Sequence, residues 1–116
     1  MNDLIQRIVA AIIRQEGEPA DSVNPGNLRA APWLHPSSDQ PYIVNGFWVP
    51  ASRAEGVAGL AHVVALHIAE GDSLTTFISG YAPPGDGNAT AIYIENVAAW
   101  ASIPDVNQPL WNFIVA

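Results

Sequence analysis

Acidic side chains make up most of the chain's charged residues. Its 116 residues include eleven aspartates and glutamates against four cationic residues, all of them arginine, and no cysteine. The lack of cysteine and lysine excludes thiolate metal sites, cysteine nucleophiles and Schiff-base chemistry within this chain. Chemistry therefore has to come from acids, hydroxyls, amides and three histidines. The net charge of −7 also has the wrong sign for binding nucleic acid or an anionic membrane.

Glu16 is the carboxylate with the most informative position. It follows Ile12 by four residues and Ile13 by three, so the helical period places it on an apolar stripe, at the end of the helix. Partial desolvation and the negative end of the helix dipole both disfavour the carboxylate, and we expect them to raise the pKa of Glu16. A general acid that works near neutral pH needs such a pKa. The alternative is a solvated glutamate at a frayed helix end.

The histidines do not indicate a metal site. His62 and His67 are five residues apart in one predicted helix, roughly 140° around its axis, whereas a chelating pair is four apart. His35 lies in a proline-flanked loop with no partner motif. The Gly-x-Ser-x-Gly pattern of a serine nucleophile is also missing. We therefore predict no metal and no cofactor.

The elements that must position Glu16 are mainly helical. The length fits one domain over residues 1–116. After the first helix, Asn45-Gly46 between two β-prone triplets predicts one small hairpin, because both central positions need a positive φ. Residues 18–40, between the first helix and the hairpin, are rich in proline and are predicted to form an irregular loop. A loop of this length in a small domain more often has a function than not. Apolar spacing and caps predict these helices: an N-terminal one ending near Glu16, one from Ser52 to Gly71, one from Ser73 to Gly80, one over 90–100, and a short one over 106–113.

Three separated motifs resemble the lysozyme-like superfamily, in particular the short phage enzymes described as lysozyme or lytic transglycosylase-like structural proteins. The similarity runs from about residue 8 to about residue 98. The motifs are, in order, Glu16-Gly17, then Asn24-Pro25-Gly26-Asn27-Leu28-Arg29 before the hairpin, then Tyr81-Ala82-Pro83 with Asp86-Gly87-Asn88 and Tyr93.

This resemblance implies an α+β lysozyme-like fold and a bacteriolytic muramidase. The expected reaction is cleavage of the β-1,4 bond between N-acetylmuramic acid and N-acetylglucosamine in peptidoglycan. Glu16 matches the family's catalytic acid, and Tyr81 lies closest to the reacting sugar by analogy. No cofactor is implied, and the expected partner is the glycan strand alone, bound by a monomer.

Other residues are candidates for substrate binding, each with a structural alternative. Asn27 and Arg29 could bind sugar or peptide groups, or Arg29 could pair with Asp21 or Glu18 to hold the loop. Asn88 could instead close its loop or cap the next helix. The remaining candidates are aromatic: Trp48 for stacking on a sugar ring, and two tyrosines, of which Tyr81 is favoured for function and Tyr93 for structure.

A second carboxylate is not singled out by the sequence. Hydrolases that cleave glycosidic bonds use a pair of acids, and the candidates are Asp21, Asp39, Glu55 and Asp86. Lytic transglycosylases can work with one glutamate, first as acid and then as base, while the substrate's N-acetyl group stabilises the developing charge. The lack of an evident partner slightly favours that mechanism.

Two further functions stay open, as does the place of action. The substrate could be a chitin-like or N-glycan oligosaccharide, or the chain could be a non-catalytic glycan-binding or virion structural module. Asp3 stands where a signal peptide has positive charge, and the apolar run over 8–13 is short. We therefore expect no signal peptide and no membrane insertion, and a location in a virion or host cytoplasm, with another factor giving access to the wall.

The charge generates a first prediction. Because an anionic wall repels a protein of net charge −7, we expect wall-cleaving activity to rise at moderate salt or acidic pH, where repulsion is screened or titrated. Clearing of a cell-wall suspension over a series of salt concentrations measures this. Activity that only falls as salt rises from near zero contradicts it.

Overall fold

The computed structural model describes residues 3–29 and 43–114 of the chain. Over these ranges the protein is mainly helical, which confirms the helical class predicted from the apolar spacing. The four α-helices are α1 (Asp3–Glu16), α2 (Arg53–Ala69), α3 (Leu74–Tyr81) and α4 (Thr90–Ala101). Two short strands are β1 (Ile43–Val44) and β2 (Phe47–Trp48), and two 3-10 turns cover Pro84–Asp86 and Leu110–Phe113.

The hairpin forms where the Asn-Gly pair predicts it. The antiparallel strands pair Ile43 with Trp48, and the two turn residues Asn45 and Gly46 have φ values of 53° and 84°. A third segment joins them, since Arg29 forms an isolated antiparallel bridge with Phe47. The loop after α1 is therefore attached to the hairpin through its backbone.

Helix α1 supplies one wall of the core. Its apolar stripe is almost fully buried, and the helix packs against α4 and α2, while α3 packs against α4. Burying a large aliphatic side chain contributes about 1.5–3 kcal/mol, so this stripe fixes the rotation of α1 about its axis. That rotation carries Glu16 toward α4. The buried residues of the stripe are Leu4, Ile8, Val9, Ala11 and Ile12.

Helix starts follow the predicted caps. The Ser52 hydroxyl accepts a hydrogen bond from the Glu55 backbone N–H at 3.1 Å, and the Ser73 hydroxyl accepts one from the Thr76 N–H at 3.1 Å. Each satisfies a backbone donor that the first helical turn leaves unpaired. No helix in the described part of the chain is both long and apolar enough to cross a membrane.

Two predicted helix ends were wrong, both because of proline. Gly80 does not end α3, which continues to Tyr81 and stops at Ala82, the residue before Pro83. The segment 106–113 forms only the 3-10 turn Leu110–Phe113. Proline disfavours helical geometry in the residue before it and lacks an N–H, so Pro109 prevents a helix from running through this segment.

The loop after α1 crosses α2 at Gly56. A Cβ atom on Gly56 would lie 1.8 Å from the Val23 carbonyl oxygen, so only glycine admits this crossing. Arg53, one turn earlier, donates a hydrogen bond to the Ser22 carbonyl at 2.8 Å. These contacts fix the start of the 24–29 segment on the surface of α2.

Gly56→Ala should therefore destabilise the protein by about 3 kcal/mol, the upper part of the range for overpacked sites. The matched control is Gly80→Ala, since a Cβ there meets nothing within 4 Å and lies inside α3. That control should be neutral or stabilise by roughly 0.5–1 kcal/mol through helix propensity. Urea unfolding measures both, and equal effects of the two substitutions would contradict the close crossing.

Candidate active site

The candidate site lies where α1 ends and α4 begins. Gly17 adopts a φ of 66° and donates its N–H to the Ile13 carbonyl at 3.2 Å, which ends α1 directly after Glu16. The side-chain oxygen of Gln15, the residue before Glu16, accepts a hydrogen bond from the Asn96 amide of α4 at 2.9 Å. The two helices are thus joined by polar contacts beside their apolar interface.

Glu16 is bound directly by Tyr93. The Tyr93 hydroxyl donates to Glu16 Oε2 at 2.7 Å, across 77 residues of sequence, and Tyr93 is only 4% exposed. Because its ring is held in the core, the hydroxyl is a fixed donor aimed at the carboxyl group. The sequence analysis favoured Tyr93 for structure, but the structure makes it the tyrosine that contacts Glu16.

The pKa of Glu16 is raised, as the sequence predicts. Desolvation by burial is the largest cause, and the negative charge of Glu18 adds to it. Hydrogen bonds from the Tyr93 and Asn27 side chains oppose the rise, because they stabilise the carboxylate. The carboxyl group is therefore biased toward its protonated form, yet has two donors ready for the ionised one.

A tight turn brings Asn27 to this position. Asn24 organises the turn: its side-chain amide donates to the carbonyls of Leu28, at 3.1 Å, and Trp48, at 2.8 Å, while its oxygen accepts from the Leu28 N–H. Asn27 donates its N–H to the Asn24 carbonyl and has a left-handed φ of 51°, which asparagine tolerates well. The sequence analysis gave Asn24 no role, although asparagine before Pro-Gly is a turn signal.

Tyr81 holds the same turn from the opposite side. Its hydroxyl donates a hydrogen bond to the Gly26 carbonyl, and a Cβ on Gly26 would lie 3.0 Å from that hydroxyl and 2.9 Å from Leu60. Burial, followed by the negative charge of Glu16, raises the pKa of Tyr81. Tyr81, which the resemblance places closest to the sugar, thus contacts the backbone of the turn and stays protonated.

A row of aromatic rings connects these groups to the core. The Tyr81 and Tyr93 rings meet edge to face, with centroids 6.4 Å apart, and Tyr81 meets Phe77 in the same way at 5.6 Å. Phe77 stacks on His67 of α2 at 4.2 Å. The row runs from α2 through α3 to α4 and fixes both tyrosine rings.

Three predicted binding residues have mainly structural contacts. Trp48 is 4% exposed, so its ring faces are packed and the predicted stacking on a sugar does not fit this structure. The Asn88 amide donates to the Pro83 carbonyl at 3.1 Å, which closes the loop before α4. Arg29 is exposed, with its guanidinium over the Phe47 ring at 4.7 Å.

Of the candidates for a second carboxylate, the structure describes the side chains of Asp21 and Glu55, and neither is among the groups that act on the Glu16 carboxyl. Asp39 lies outside the described residues, as does the side chain of Asp86, and Glu55 belongs to the first turn of α2. Asp21 is exposed in the loop after α1. Glu18 is the carboxylate whose charge acts on Glu16, and the sequence analysis considered it only as a partner of Arg29.

Comparison of the chain with protein-family models, curated proteins and solved structures found no match in any of the three. The resemblance to the lysozyme-like superfamily therefore depends on the motifs alone.

Tyr93→Phe should raise the pKa of Glu16 further, because it removes a hydrogen bond that stabilises the carboxylate. A pH titration of the Glu16 carboxyl ¹³C shift by NMR measures this. It should also cost about 1 kcal/mol of stability through the lost hydrogen bond. Tyr81→Phe is the comparison, since its hydroxyl binds the Gly26 carbonyl and reaches Glu16 only through the turn, and it should shift the Glu16 midpoint less than Tyr93→Phe does. A midpoint that stays constant or falls in Tyr93→Phe would contradict the assigned role of Tyr93.

Proposed function

We propose that the protein is a peptidoglycan-cleaving glycosidase in which Glu16 is the general acid and base. The observation that carries the proposal is the half-buried Glu16 carboxyl, with a raised pKa and two side-chain donors, Tyr93 and Asn27. Glycosidic cleavage needs a proton for the leaving oxygen, and a carboxyl group kept protonated by burial can supply it.

The donors around Glu16 suit both halves of such a reaction. When Glu16 gives its proton to the glycosidic oxygen it becomes a carboxylate. The Tyr93 hydroxyl, at 2.7 Å, stabilises that charge without having to reorient, and the Asn27 side chain adds a smaller stabilisation. The carboxylate then takes a proton from the attacking group. A water molecule as that group gives hydrolysis, and a hydroxyl of the same sugar gives an anhydro product.

The tyrosine pair supports this assignment through its protonation state. Burial raises the pKa of both Tyr81 and Tyr93, and the nearby Glu16 raises each further. Both hydroxyls therefore remain donors throughout the pH range in which Glu16 titrates. Neither competes with Glu16 as a base, so one carboxyl group carries the proton transfers.

A second candidate function is a non-catalytic glycan-binding or virion structural module. The net charge of −7 favours it, since a wall-degrading enzyme gains from attraction to an anionic wall. In that case the Glu16–Tyr93 contact would serve to hold α1 against α4. A different substrate, such as a chitin-like oligosaccharide, is a third outcome that keeps the same chemistry.

Glu16→Gln tests the proposal, because glutamine keeps the shape and cannot give a proton. Clearing of purified cell walls should slow by about 10²-fold or more, the usual contribution of a general acid. Glu95→Gln, at an exposed position on α4, removes the same charge and should retain activity.

Equal clearing by the wild type and Glu16→Gln would refute the catalytic role. No clearing by the wild type, with glycan binding retained, would favour the non-catalytic module. Mass spectrometry of the fragments separates reducing ends from anhydro ends, and parallel digests of chitin oligomers decide the glycan.

A further inference from the structure

A second polar cluster lies at the C-terminal end of α2, on residues that the proposed reaction does not use. It consists of His67, Glu70 and Asp72, whose ligand atoms all lie within 4.8 Å of one another. His67 Nδ1 and Asp72 Oδ2 are 2.7 Å apart, and both side chains are partly exposed, at 30% and 23%. Glu70 is exposed.

The backbone holds two of the three side chains in place. The Asp72 N–H donates to the His67 carbonyl at 3.1 Å, and the Asp72 carbonyl accepts from the Leu110 N–H at 2.9 Å. Gly71 makes the turn between them with a φ of 78°. The His67 ring is further fixed by stacking on Phe77, with an angle of 19° between the planes.

The cluster carries an excess of negative charge. With a neutral imidazole, the two carboxylates give it a charge of −2, and the chain has no lysine to offset them. Among residues 3–29 and 43–114, no hydrogen bond or ion pair is made by the Glu70 carboxylate. A divalent cation would neutralise both acids.

The geometry points to a binding site for a divalent transition metal, with His67, Glu70 and Asp72 as ligands. One imidazole nitrogen and two carboxylate oxygens are a donor set that Zn²⁺ accepts, at about 2.0–2.2 Å from each atom. Donors around a tetrahedral ion stand roughly 3.3 Å apart at those bond lengths. Coordination therefore replaces the His67–Asp72 hydrogen bond: these two ligand atoms, 2.7 Å apart, separate slightly, the exposed Glu70 side chain rotates toward them, and water fills the fourth position.

Metal binding would join the C-terminal end of α2 to Asp72, whose carbonyl accepts a hydrogen bond from Leu110 of the second 3-10 turn. An ion that binds the folded state and not the unfolded one stabilises the fold in proportion to its concentration. The site is thus a structural clamp, and it is independent of the proposed chemistry at Glu16. The cluster of His67, Glu70 and Asp72 was not predicted, because only the spacing between the histidines was considered.

Zn²⁺ itself is the probe, used with tag-free full-length protein after treatment with a chelator. Isothermal titration calorimetry should show one Zn²⁺ per chain, and the melting temperature should rise with Zn²⁺ concentration. His67→Ala, Glu70→Gln and Asp72→Asn should each weaken binding at least tenfold. Glu70→Gln is the decisive variant, since Glu70 is exposed and its replacement leaves the core unchanged.

His62→Ala, at an exposed position of the same helix, and His35→Ala are the matched controls and should bind Zn²⁺ as the wild type does. Glu16→Gln should also bind normally, so failure of the catalytic proposal leaves this one intact. Absence of saturable binding overturns the inference. So does binding that survives His67→Ala and Glu70→Gln, or that is lost equally in His62→Ala.

Discussion

The need to hold one half-buried carboxyl group links most of the structure. A carboxylate at that depth needs hydrogen-bond donors, and Glu16 has the Tyr93 hydroxyl of α4 at 2.7 Å, with the Asn27 side chain of the loop after α1 as a weaker contributor. The apolar stripe of α1 sets the direction of Glu16, and the core sets the position of Tyr93. The environment of Glu16 therefore depends both on its own helix and on residues that are distant in the sequence.

The 24–29 segment is held by hydrogen bonds to its backbone as well as by the burial of Pro25 and Leu28. Asn24 binds it to the hairpin, Tyr81 binds the Gly26 carbonyl, and Gly56 lets the preceding residues cross α2 at contact distance. Each contact requires a particular residue type. Asn24 supplies an amide that both donates and accepts, Tyr81 supplies a hydroxyl at the end of a long side chain, and Gly56 has no side chain. This arrangement explains why a loop rich in proline and glycine can present Asn27 to Glu16 in a defined position.

Local patterns in the sequence were enough for the four α-helices, the serine caps of α2 and α3, the Asn-Gly hairpin and the position of Glu16, but not for the segment 106–113. They were not enough for the roles of the tyrosines, because Tyr81 and Tyr93 have equivalent sequence signals and differ only in which distant group each hydroxyl reaches. Trp48 was misassigned for the same reason, since an aromatic residue in a hairpin can face either side. The cluster around His67 depends on a turn at Gly71, which helical periodicity does not describe.

The row of rings from His67 through Phe77 and Tyr81 to Tyr93 places the two polar sites on one continuous wall. Phe77 is fully buried and touches the first and third rings of the row. A change in volume at that position would shift an imidazole on one side and a phenol on the other. Phe77 thus links the packing around the proposed metal ligands to the packing around the proposed general acid, so the two regions share one part of the core.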